Sequence, residues 1–128
     1  QIHGKGLRSM SHPGTAYDDP LLGKDPQPDH MRKFVITTED NGGVHINSGI
    51  PNRAFYLAAR TLGGFAWAKA GRIWYDTLCD KRLSQDATFE AFAGLTVENA
   101  GKRFGTREVT AVREAWAQVG IELVVEVV

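Results

Sequence analysis

The chain has 128 residues, 42% of them apolar, which suits one domain with a real core and is too short for two. Fifteen basic and fifteen acidic residues cancel, with no basic cluster or interleaved aromatic platform, so neither nucleic acid nor a membrane surface is an expected partner. No apolar run approaches the roughly 20 residues that a membrane-spanning helix needs.

Residue 1 is Gln and no charged-then-apolar leader follows, so a processed product or an excised piece is expected. Residues 1–33 are rich in Gly, Pro, Asp and His and show little periodicity, which predicts an irregular ordered arm. Within it Pro20, Pro26 and Pro28 make residues 16–30 a loop. Asp18, Asp19, Asp25 and Asp29 do not match the spacing of an EF-hand and are interrupted by proline, so a solvated loop is expected rather than a calcium site. Phe34-Val35-Ile36-Thr37-Thr38 is β-branched and predicts a short extended piece.

That piece leads into residues 39–50, Glu-Asp-Asn-Gly-Gly-Val-His-Ile-Asn-Ser-Gly-Ile, where a turn, a polar pair and a helix start follow closely. Asn41-Gly42-Gly43 adopts positive φ cheaply, so the chain can turn sharply and bring Asp40 back towards His45. A carboxylate there would accept the Nδ1 proton, fix the tautomer, favour the imidazolium and leave Nε2 outward as a donor. Asn47 and Ser48 carry short side-chain oxygens before a helix-periodic run, the usual mark of a helix N-terminus. Spacing alone favours a plainer reading, a structural histidine and an ordinary turn aspartate.

Four helices follow. From about residue 48 to 62, Ile50, Ala54, Leu57, Ala58 and Leu62 recur at three- and four-residue steps until Gly63-Gly64. The second, from 66 to about 81, has a broad apolar surface including Trp67, Ala70, Ile73, Trp74, Tyr75 and Leu78, which predicts a central position. The lone cysteine, Cys79, falls in this pattern and is expected to be a small buried apolar group. A third helix starts at residues 86–88 and carries Phe89, Phe92, Ala93, Thr96, Val97, Ala100 and Phe104 before Gly105. Thr106 caps a fourth, whose Val109, Val112, Trp116 and Val119 keep their period until Gly120. The expected fold is mainly α, a compact bundle of about four helices preceded by an irregular, loop-rich N-terminal arm. It forms a single domain over residues 1–128: arm 1–46, helices 47–120 and an extended apolar tail 121–128.

The run Asp40-Asn41-Gly42-Gly43-Val44-His45-Ile46-Asn47-Ser48-Gly49-Ile50 resembles the signature in the C-terminal half of the thermolysin-like zinc metallopeptidases. Leu7-Arg8-Ser9-Met10-Ser11 with Pro13 resembles the segment preceding that signature. Gly71-Arg72-Ile73-Trp74-Tyr75 and Ala115-Trp116-Ala117-Gln118-Val119-Gly120 follow the family's order, so the likeness covers about residues 6–121. Residues 16–30 run longer than the thermolysin version, and no role is carried over into them. The resemblance implies the C-terminal part of a secreted, zinc-dependent metalloendopeptidase acting on peptide or protein substrates. In it His45 stabilises the oxyanion, Asp40 orients His45, Arg8 contacts the substrate backbone beyond the scissile bond, and Leu7 walls the adjoining pocket.

No His-Glu-x-x-His occurs: Gly4, Pro13, Met31 and Ile46 follow His3, His12, His30 and His45. No metal ligand is therefore assigned. By the resemblance, the zinc ligands belong to an N-terminal zinc-bearing domain of the same protein, calcium is allowed in the complete enzyme, and the isolated chain binds no cofactor and is inactive. Surface uncovered by the missing domain is expected to favour a homodimer of the isolated chain. An alternative of a different class is a free-standing, non-catalytic helical binding or interaction module, in which Asp40 and His45 only brace the turn.

Overall fold

The computed structural model describes residues 8–63 and 66–123. The core is built by α2 (Gly49–Leu62), α3 (Ala66–Leu78), α4 (Phe89–Arg103) and α5 (Thr106–Gln118). Each packs on two others, α2 and α4 both lying against α3 and α5, so the four close into a bundle. Small residues let them approach: Ala54, Ala58, Ala70, Ala93 and Ala100 are completely buried at the contacts.

Aromatic rings fill the space between the helices. Trp116 is fully buried and stacks on Trp74, with ring centroids 5.8 Å apart and planes 8° from parallel. Phe55 and Phe92 meet Trp74 edge-on at 5.3 and 6.2 Å. The indole Nε1 of Trp116 donates to Thr96 Oγ1 at 2.9 Å, so the one polar atom of the ring is satisfied where water is excluded.

The helix boundaries follow local chemistry. Gly63 takes φ 68° after α2 and Gly120 φ 93° after α5, the left-handed conformation in which glycine ends a helix cheaply. Thr88 caps α4, its Oγ1 accepting from Ala91 N–H. Thr106 is the first residue of α5 and not its cap, a place taken by Gly105. The second helix is shorter than its expected span of 66 to about 81. It stops at Leu78 because Asp80 accepts from the Arg82 backbone and guanidinium and turns the chain. Cys79 therefore sits exposed in the turn instead of buried, and Tyr75 and Leu78 face solvent. The Trp67 side chain and residues 124–128 of the tail lie outside the described residues, while Ile121 is buried against the bundle.

The arm is ordered, with two short pieces of regular structure in it. A two-residue antiparallel hairpin pairs β1 (Asp18–Asp19) with β2 (Gly23–Lys24), and a 3-10 turn covers Met31–Lys33. Asp25, expected in a solvated loop, is buried; it accepts from Gly14 and Ala16 N–H through Oδ2 and from Gln27 N–H through Oδ1. Backbone donors left by irregular chain need partners, and a carboxylate supplies several acceptor sites at once. The arm closes on the end of the bundle, where Met31 N–H donates to Val119 carbonyl at 2.8 Å. There the His30 ring lies so close over Gly120 that a Cβ would meet its Cε1 at 2.5 Å.

Candidate functional site

Residues 40–47 differ from the loop that the Gly pair suggests: Asp40–Asn47 form a short helical coil, α1. Gly42 and Gly43 have φ of 81° and 82°, and Asp40 itself has φ 54°, rare for a residue with a side chain. The Asp40 carboxylate holds the coil together. Its Oδ2 accepts from His45 and Ile46 N–H at 2.9 and 3.0 Å, and its Oδ1 faces His45 Nδ1 at 2.7 Å. These contacts hold the Asp40 carboxyl below the usual carboxylate range, the His45 ring contributing most and Ile46 N–H next.

An ionised carboxylate only accepts, so Nδ1 carries the proton at this contact and Nε2 is the ring's outward nitrogen. The His45 side chain is 74% exposed, leaving that nitrogen open to a ligand.

Asn47 and Ser48 do not cap α2, contrary to their position before it. Asn47 is buried and pairs with the backbone of Val35 as a strand would: its Oδ1 accepts from Val35 N–H and its Nδ2 donates to Val35 carbonyl, both at 2.9 Å. Gly43 must lack a side chain here, since a Cβ would meet Asn47 Nδ2 at 2.8 Å. Ser48 Oγ donates to His45 carbonyl at 2.6 Å and accepts from Arg8 Nη1 at 2.8 Å. The carbonyl of His45 takes a second bond, from Nε2 of the buried Gln27, at 3.1 Å.

Asp40, His45 and Arg8 are thus brought together, and Leu7 lies outside the described residues. Gln27, Asn47 and Ser48 are the supporting residues whose part the sequence did not disclose. A mainly apolar cleft of about 610 Å³ between Met31, Phe34, Val44, Phe89 and Ile121 is bordered by Asn47 and is lined by none of Asp40, His45 and Arg8.

A family model described as the thermolysin metallopeptidase alpha-helical domain matches residues 1–121. The chain belongs to that family. An extracellular metalloprotease of Pectobacterium carotovorum subsp. carotovorum is 67% identical over 122 residues, 95% of this chain and 35% of that protein. Protease PrtS of a Photorhabdus strain is 56% identical over 124 residues, 95% of this chain and 33% of that protein. The solved precursor of protealysin, a metalloproteinase from Serratia proteamaculans, superposes with a TM-score of 0.91 at 68% identity, over 94% of this chain and 37% of that one. This thermolysin-family domain therefore spans about a third of the length of these relatives.

The family implies zinc, and the residues described here do not fit it. Zinc asks for three or four His, Cys or carboxylate ligands converging at about 2 Å. Among the described residues no group of three or more such side chains could hold a metal ion. Asp40 occupies the inner nitrogen of His45, and among the described residues no third donor joins the pair.

Proposed function

We propose that this thermolysin-family domain is the C-terminal, substrate-side part of a secreted, zinc-dependent metalloendopeptidase whose zinc ligands lie outside the chain. The reading is carried by the Asp40–His45 contact at 2.7 Å, in a domain related over nearly its whole length to proteins named as metalloproteases.

His45 Nε2 donates a hydrogen bond to the oxyanion that forms when the peptide carbonyl is attacked. Asp40 keeps the ring oriented with Nδ1 towards its carboxylate, and Nε2 donates when the ring carries both protons, so the donor faces the place where negative charge develops. Arg8 offers its planar guanidinium to the substrate carbonyl beyond the scissile bond, and Leu7 walls the adjoining pocket. The N-terminal zinc-bearing domain is the partner that completes the site, and calcium belongs to that complete enzyme where it is used. Met10, Ile36 and Val44 are exposed apolar residues of the arm, surface that a partner domain would cover. Alone, the chain is inactive and tends to dimerise through such surface.

The test is turnover of the complete peptidase. His45→Ala should lower kcat by about 10²–10³, roughly 2.7–4 kcal/mol of transition-state stabilisation, with the fold intact by circular dichroism. Unchanged turnover would overturn the assignment of His45. Activity of this chain by itself would overturn the division of the site.

A further inference from the structure

His45 and Arg8 lie 37 positions apart in sequence, yet one hydroxyl stands between them. A serine hydroxyl has one proton to give and two lone pairs to offer, whereas a guanidinium only donates. Arg8 Nη1 must therefore be the donor at 2.8 Å, which commits the Ser48 proton to the His45 carbonyl at 2.6 Å. The direction of both bonds is fixed by chemistry.

The hydroxyl has no part in starting α2. Ser48 is helical in backbone, with φ −60° and ψ −17°, and makes no side-chain cap bond. Alanine would satisfy that backbone equally well.

The surroundings keep Ser48 from moving to suit Arg8. The next residue, Gly49, is wedged under the arm: a Cβ on it would meet Pro28 carbonyl oxygen at 2.6 Å and Pro13 Cβ at 2.9 Å. On the other side Gln27 Nε2 holds the same His45 carbonyl at 3.1 Å. The long, otherwise mobile arginine side chain is the member of the chain that adapts.

We infer that Ser48 is a positioning residue, coupling the orientation of Arg8 to the residue that carries the oxyanion donor. The inference rests on the roles proposed above for Arg8 and His45. Its consequence is that the group holding the substrate carbonyl and the group meeting the oxyanion keep a set spacing, which geometry-dependent catalysis requires.

The experiment is a set of variants of the complete peptidase: Ser48→Ala, Ser48→Thr, Arg8→Ala, the Arg8→Ala/Ser48→Ala pair, and His45→Ala, assayed on one peptide substrate. Ser48→Ala should lower kcat/KM about tenfold, mostly through KM, the scale of one charge-assisted hydrogen bond. Ser48→Thr keeps the hydroxyl and should stay within about threefold of wild type, and in the Arg8→Ala background Ser48→Ala should add less than about twofold. That loss of effect is a readout that a general weakening of the fold would not give. Ser48→Ala kinetics equal to wild type, or a full tenfold loss persisting without Arg8, would overturn the inference. If Arg8→Ala and His45→Ala both lose rate while Ser48→Ala does not, Ser48 alone is wrongly placed; if neither loses rate, the proposed roles fail and the coupling fails with them.

Discussion

The bundle and the arm are held together by different physics. In the bundle, Trp116, Trp74, Phe55 and Phe92 interlock among buried alanines, and stability comes from apolar area removed from water. In the arm, single polar side chains take over work that a sheet or helix ladder would do: Asp25 gathers three backbone N–H groups, Asp40 two, and Asn47 pairs with both polar atoms of Val35. Apolar packing tolerates approximate geometry, while a hydrogen-bonded loop is set by distances of about 3 Å. The candidate site stands on the part whose geometry is set most finely.

The largest effect expected is on the bundle. Trp116→Ala removes the fully buried ring at the centre of the stack and should cost about 3–5 kcal/mol, seen as a lower denaturant midpoint with loss of helical signal. A cost under about 1 kcal/mol would mean that the stack does not hold the helices.

The arm should break separately. Asp25→Ala leaves three backbone donors without their acceptor and should cost about 1.5–3 kcal/mol, since the bonds run to a charged group. The expected signature is proteolytic nicking between residues 13 and 30 while the helical signal of the bundle persists. Simultaneous loss of both would show that arm and bundle form one cooperative unit.

The smallest effect sharpens the comparison within the site. Because the folded Asp40 carboxyl titrates below its unfolded value of about 3.9, its contribution is complete above that value and is lost as pH falls through the lower folded one. An acid titration of the wild type should therefore show an extra loss below about pH 4 that Asp40→Asn lacks. Coincident acid limbs for the two proteins would remove Asp40 as the organising carboxylate.

Periodicity explains what was legible. The stripes Ile50–Ala54–Ala58–Leu62 and Val112–Trp116–Val119 are buried because helical spacing forces neighbouring turns onto one face. The approach of Asp40 to His45 was legible for another reason, that a Gly pair between a carboxylate and an imidazole takes up at little cost the positive φ that brings the two together. The supports were not. Gln27 reaches His45 over 18 residues and Asn47 reaches Val35 over 12, and a side chain bonding to distant backbone leaves no periodic trace. Asn47 also carries the composition of a cap, so its sequence context pointed to the commoner use of the same oxygen. Cys79 was misplaced because the helix was expected to run to about residue 81, three residues beyond its last apolar position Leu78, while the stop comes from the polar turn at Asp80.

The seating of His30 on Gly120 sets an order of events during synthesis. The arm is made before the bundle, yet part of its resting place, Val119 and Gly120 just after α5, follows some 90 residues later. Helices whose contacts are local can form as they emerge, whereas a contact of this sequence separation has to wait for its far partner. The contacts of Met31 and His30 with Val119 and Gly120 therefore form only once the last helix is made, whereas the bonds among Arg8, Gln27, Asp40, His45 and Ser48 all lie within residues 8–48.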